Sequence, residues 1–150
     1  MATVSILMSD AGAMGAFGRK LGAKLFPGAV IALVGPLGAG KTFLVRAIAE
    51  GLGIANPAEV TSPTFVLHQV YVARLPIHHF DVYRLKLPQD FIALGALEHF
   101  EEEGVCLVEW ADRISPLLPA DHLRIEIEIE PTDARRVTII ATGRRHGGLF

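Results

Sequence analysis

A single cysteine, Cys106, stands among 150 residues, so no disulfide can form within the chain, and a reduced, cytoplasmic setting is expected. Long apolar runs are missing too. No stretch reaches the ~18 uninterrupted apolar residues that a membrane span requires, and the opening MATVSILMSD lacks the basic flank of a secretory signal. Nor is there an excess of positive charge: 14 Lys and Arg against 16 Asp and Glu leave a net charge of -2. With a pI near 6.3, the chain has no broad basic field for binding nucleic acid unaided. Internal repeats and low-complexity segments are absent. What is present is 51% hydrophobic residues and a mean hydropathy of +0.40, which at this length fits one globular domain, residues 1–150, with a sizeable core.

The period of the hydrophobic pattern changes along the chain. TVSILM predicts a short strand, after which Ser9 or Asp10 can cap a helix whose Met14, Phe17, Leu21 and Leu25 recur at spacings of three and four. Ala11, Gly15, Gly18 and Gly22 make a second, nearly bare stripe on that helix. Such a stripe suits either close approach to a sheet or ligand, or nothing more than a helix rich in small residues. AVIALV reads as a strand covered on both faces, and a helical pattern starts at Lys41 and ends at Gly51 and Gly53. FVLHQVYV and IHHFDVY predict two strands, Asp90 to Glu103 a helix stopped by Gly104, and VCLVEW a further buried strand. LRIEIEIE, PTDARR and VTIIATG predict a hairpin with one buried face, and the tail 143–150 reads as loose. The fold class expected is α/β: a mostly parallel sheet extended by a C-terminal antiparallel hairpin.

Between the strand AVIALV and the following helix lies GPLGAGKT. This is the G-x-x-x-x-G-K-[ST] phosphate loop in the setting it requires, and by chance the pattern arises in about one chain in two hundred of this length. Glycines let successive backbone N–H groups turn toward phosphate oxygens, and the helix N-terminus adds its partial positive charge. The candidate nucleotide-binding positions are Gly35, Leu37, Gly38, Ala39, Gly40, Lys41 and Thr42. Lys41 would meet the β and γ phosphates, and the Thr42 hydroxyl would hold Mg²⁺.

Such chemistry also needs a carboxylate near the metal. Glu109 ends an apolar strand, where open α/β sheets place ligand groups; it could ligand the metal, bind through its water, or orient the attacking water. Asp81, at the end of HHFDVY, is a second candidate, with a turn cap as its structural alternative. Thr61, Ser62 and Thr64 around Pro63 could form a switch reaching the γ-phosphate, or a plain hydroxyl-rich turn. His78, His79 and Asp81 superficially suggest a metal site, but strand alternation puts His79 and Asp81 on one face and His78 on the other, so at most two of them can share one ion. Trp110 either closes over the site or packs at the strand's end. No N-K-x-D guanine-reading sequence follows the loop, and after Glu109 only Arg113 precedes SPLLPADH. That leaves little material for the arginine-bearing lid of a small-molecule kinase. A binding module that switches a partner without useful hydrolysis is the reading from another class.

In this order and at these distances, GPLGAGKT, VTSPTF, HHFDVYRL, LGALEHF and VCLVEWADRI resemble the TsaE family, small ATPases of bacterial tRNA threonylcarbamoyladenosine modification. The similarity runs roughly from Asp10 to Thr142. It implies a phosphate-loop NTPase-like domain, ATP and Mg²⁺ as cofactors, Lys41, Asp81 and Glu109 as catalytic residues, and Thr42, Asp81 and Glu109 at the metal. It further implies that Ala11 lies near the nucleotide and that Thr61, Ser62 and Thr64 belong to a switch-like loop. Family members usually have Asp at the position of Pro36 and often Pro at that of Ala111; neither change removes a phosphate- or metal-binding group. The partners implied are TsaB and TsaD, with tRNA reached only through the complex. Hydrolysis by the chain alone is expected to be weak, because the positive group completing such sites often arrives in trans.

Overall fold

The apolar run that precedes the glycine-rich loop folds as a central strand, and the rest of the sheet is arranged around it. The computed structural model describes residues 2–62, 67–101 and 103–149. In chain order the elements are β1 (Ala2–Met8), α1 (Ala11–Lys24), β2 (Val30–Val34), α2 (Lys41–Gly51), β3 (His68–Tyr71), β4 (Ile77–Asp81), α3 (Pro88–Ala93), β5 (Val105–Glu109), β6 (Leu123–Ile129), β7 (Arg135–Ala141) and α4 (Arg144–Gly147). The strands form one sheet in the order β1-β7-β6-β2-β5-β4-β3. Pairings around β2 are parallel, β6 to β2, β2 to β5 and β5 to β4. β6 and β7 form the expected antiparallel hairpin. Both outer strands, β1 on β7 and β3 on β4, are also antiparallel. Among the described residues no helix is long and apolar enough to cross a membrane.

Two apolar layers hold the sheet. On one face Ile31, Leu33 and Leu107 meet Leu44 and Ile48 of α2 and Leu21 of α1; on the other Ala32, Phe80 and Val108 meet Phe91 and Ile114. β2 and β5 are therefore covered on both sides, which explains their uninterrupted apolar sequences. Asp10 caps α1, its carboxylate accepting the Ala13 N–H at 2.8 Å. Gly18 and Gly22 of the bare stripe lie against α2: a Cβ on Gly22 would collide with the Ile48 carbonyl, and one on Gly18 with Ala47. The two helices thus approach more closely than side chains would allow.

Two expectations are corrected. The helix expected from Asp90 to Glu103 is the shorter α3, followed by a separate 3-10 turn at Leu97–Glu101. Gly95 takes a left-handed φ of +70° between them, which ends the helix where the apolar pattern alone continued. The tail, over its described residues 143–149, is not loose. α4 docks on the sheet with His146 and Leu149 buried. The His146 Nδ1–H donates to Asp121 at 2.7 Å, and its Nε2 accepts the Val30 N–H at 3.0 Å. Burial lowers the His146 pKa against the opposing pull of Asp121, in keeping with a neutral ring whose second nitrogen is an acceptor. The strand expected over 65–72 is observed as β3, with Phe65 and Val66 outside the described residues.

Candidate functional site

The loop from Gly35 to Gly40 leaves the C-terminal end of β2 and enters α2 directly. Its curl depends on Gly38 and Gly40, whose φ values of +80° and +108° lie where side chains are strained. Gly40 is the N-cap of α2 and provides no side-chain cap, so the first-turn N–H groups are available to an anion. Lys41 folds back over the loop, its Nζ donating to the Gly35 carbonyl at 2.7 Å and the Pro36 carbonyl at 2.8 Å. That ammonium lies 4.0 Å from the centre of the Trp110 ring. Burial lowers its pKa, while Glu109, Asp81 and Asp112 pull the other way.

Asp81 and Glu109 end adjacent strands in matched register. Both are buried, at 3% and 2% exposure. Such burial is costly for carboxylates unless each is hydrogen-bonded. Glu109 accepts from the Thr42 hydroxyl, at 2.8 Å to Oε1 and 2.9 Å to Oε2, and from His79 Nε2 at 2.6 Å. Asp81 accepts from the Ser62 hydroxyl at 2.7 Å and the Tyr83 N–H at 3.0 Å. Beyond His79, its Nδ1 lies 3.1 Å from the Tyr71 hydroxyl, which is also 3.5 Å from the Thr61 carbonyl. A chain of polar contacts therefore runs from the Thr61–Ser62 segment to both carboxylates. The carboxylate pair and the Thr42 hydroxyl form an oxygen set suited to a hard cation such as Mg²⁺.

Two cavities flank the loop. One, about 380 Å³, is walled by Leu37, Lys41, Thr42, Ser62, Asp81, Glu109 and Trp110. The other, about 430 Å³, is walled by Asp10, Ala11, Ala39, Phe43, Thr132 and Arg135. Gly40 and Phe43 line both. The structure thus brings Gly38, Gly40, Lys41, Thr42, Ser62, Asp81 and Glu109 together at the first cavity and places Ala11 and Ala39 at the second. Leu37 is largely exposed at the loop's tip, and Gly35 sits at its base. Thr61 enters through its carbonyl, and Thr64 lies outside the described residues.

Sequence reasoning missed three contributors. His79 entered only as a possible zinc ligand, whereas it holds Glu109; alternation already put it on the face of Asp81, and only the order β5-β4-β3 reveals its partners. Arg135, on the hairpin, donates from Nε to the Ala39 carbonyl at 3.1 Å and braces the loop from the far side of β2. Tyr71 links His79 to the neighbouring loop. Of the arginines near the motifs, Arg113 lies over the Tyr83 and Trp110 rings at 5.2 and 5.8 Å.

Comparison with known proteins identifies the family. The family model described as threonylcarbamoyl adenosine biosynthesis protein TsaE matches residues 8–137. A tRNA threonylcarbamoyladenosine biosynthesis protein TsaE of Treponema pallidum is 42% identical over 123 residues, spanning 82% of this chain and 90% of that one. The Bacillus subtilis TsaE protein is 45% identical over 121 residues, 80% of this chain and 74% of its own length. The crystal structure of Bacillus subtilis YdiB superposes with a TM-score of 0.82 at 35% identity, covering 99% of this chain and 91% of that one. The chain belongs to the TsaE family of tRNA threonylcarbamoyladenosine biosynthesis proteins.

Proposed function

We propose that the chain binds ATP with Mg²⁺ and hydrolyses it to ADP and phosphate, as the ATPase component of the bacterial threonylcarbamoyladenosine machinery in the cytoplasm. The observation that carries this reading is Glu109, buried at the mouth of a phosphate loop and held between the Thr42 hydroxyl and His79. In it, the N–H groups of the loop and the α2 N-terminus bind the phosphates, and Lys41 exchanges its two carbonyl acceptors for β and γ phosphate oxygens. Mg²⁺, held by Thr42 with Asp81 and Glu109, would supply charge neutralisation on the phosphates. Glu109 is the base or orienting group for water, and His79 fixes its carboxylate. The cavity beside Ala11 and Phe43 receives the nucleoside end.

Among the described residues that wall this cavity Lys41 is the one cation, and Arg113 lies over aromatic rings. We therefore propose slow hydrolysis by the chain alone and faster turnover when TsaB and TsaD are bound, with tRNA contacted only through that complex. After Glu109 the chain continues as a 3-10 turn, Ala111–Leu117, and then the hairpin, so the described residues hold no lid of the kinase kind. Phosphate release by the purified chain, alone and with both partners, tests the proposal: a clear rise in the complex supports it. Equal rates would make the chain a self-sufficient enzyme, and no release in either case would make it a nucleotide-dependent binding module.

A further inference from the structure

On the opposite face of β4 from Glu109 and His79, imidazoles from three separate elements meet. His68 comes from β3, His78 from β4 and His99 from the 3-10 turn at Leu97–Glu101. One ring nitrogen from each lies within 4.8 Å of the other two. His68 Nε2 and His78 Nδ1 are 3.0 Å apart. Zinc–imidazole bonds of about 2.0–2.1 Å in a tetrahedron put ligand nitrogens roughly 3.4 Å from one another. The first pair is therefore already near that spacing, and rotation of the third ring, on an irregular turn, closes the set.

The surroundings suit an ion. His78 is buried at 7% exposure, while His68 and His99 are half-buried, so one ligand is fixed deep in the fold and the other two border solvent. Phe80 floors the cluster, its ring 4.2 Å from that of His68. The backbone of His99 is tied to β5, because Cys106, opposite His78 in the β4–β5 register, donates its thiol proton to the His99 carbonyl at 3.3 Å. Among the described residues no carboxylate belongs to this group. A donor set of imidazoles alone selects zinc, nickel, copper or cobalt over magnesium and calcium.

We propose that His68, His78 and His99 form a binding site for a divalent transition metal, best matched by Zn²⁺ with water as the fourth ligand. The site is independent of the nucleotide reading, since it shares no residue with it. Bound metal would cross-link the edge strand β3 to the turn that follows α3.

The test uses the full chain without an affinity tag, stripped of metal and nucleotide and titrated with Co²⁺, then Zn²⁺. Expected are the visible bands of a tetrahedral Co²⁺ centre saturating at one equivalent, their loss on adding Zn²⁺, and a higher melting temperature with metal. Outer-shell changes alone cost about 10–100-fold in metal affinity, so His68→Gln and His99→Gln should each weaken binding at least tenfold, with folding checked by circular dichroism. Glu109→Gln should leave Co²⁺ binding unchanged. No saturable binding by the wild-type chain would overturn the proposal and leave the rings an aromatic stack. Binding untouched by both histidine substitutions, or abolished in Glu109→Gln, would overturn it equally.

Discussion

Replacing Glu109 with glutamine separates binding from turnover, because it keeps the side chain's shape and removes its charge and basicity. In the structure that carboxylate accepts from the Thr42 hydroxyl and from His79 Nε2 at 2.6 Å. Glutamine keeps one carbonyl oxygen for His79, and the Thr42 hydroxyl can rotate to accept from the new amide, so the site remains hydrogen-bonded. A hydrogen bond to a charged group contributes about 1.5–3 kcal/mol, and the neutral replacement roughly half as much. Stability should fall by about 1–2 kcal/mol, a drop of roughly 2–8 °C in melting temperature for a chain of this size. ATP affinity should change by roughly tenfold at most, since the loop N–H groups, Lys41 and the α2 N-terminus are untouched. Hydrolysis should fall by about 10²–10⁴, the usual contribution of a positioned acid or base. Calorimetric ATP binding and steady-state phosphate release, each measured with the partners present, read the two quantities separately. Equal losses in both, or no loss in either, would refute the reasoning and reduce Glu109 to a structural residue.

Trp110 is the one tryptophan of the chain and lies 4.0 Å from Lys41 Nζ; ATP with Mg²⁺ should therefore change its fluorescence, and an unaltered spectrum at saturating ATP would contradict the proposed movement of Lys41. Gly22→Ala forces a Cβ into the Ile48 carbonyl and should destabilise by about 1–3 kcal/mol or more, whereas at Gly15 the atoms nearest an added Cβ belong to the flexible Arg19 side chain, and alanine there should be neutral or stabilising by up to ~1 kcal/mol; equal melting temperatures in the two variants would refute the close helix contact. His146 has a pKa lowered chiefly by burial, so the unfolded chain binds more protons near its ordinary pKa. Its contribution is present above that value and lost as pH falls through the lower folded pKa. Wild type should lose more stability between pH 7.5 and 5 than His146→Gln does, and identical pH profiles would show that the docked tail is not linked to this ring.

The features legible in the sequence are those fixed by local chemistry. A run apolar on both faces has to be a covered strand, and Gly38, Gly40 and Lys41 after it leave few readings for the loop. Glu109 and Asp81 were legible because charges at the ends of apolar strands emerge at the ligand-binding edge. What stayed hidden depends on contacts distant in sequence. The role of His79 needs β5 beside β4, Tyr71 needs β3 beside β4, and the tail is ordered by Asp121, 25 residues before His146. The glycine stripe on α1 was visible, but its partner α2 was not. The break after α3 comes from a single left-handed residue, Gly95, which outweighed the helical period on either side.

The central claim, that the loop is a working ATP site, is tested most directly by calorimetric titration of ATP with Mg²⁺ into the wild-type chain and Lys41→Ala. The substitution removes the one ammonium inside the loop, held by the Gly35 and Pro36 carbonyls, and charged hydrogen bonds contribute about 1.5–3 kcal/mol. Saturable binding at one site in the wild type, weakened by about ten- to a hundredfold in the variant, is the predicted result; the same affinity in both proteins, or no binding by the wild type, would contradict the account.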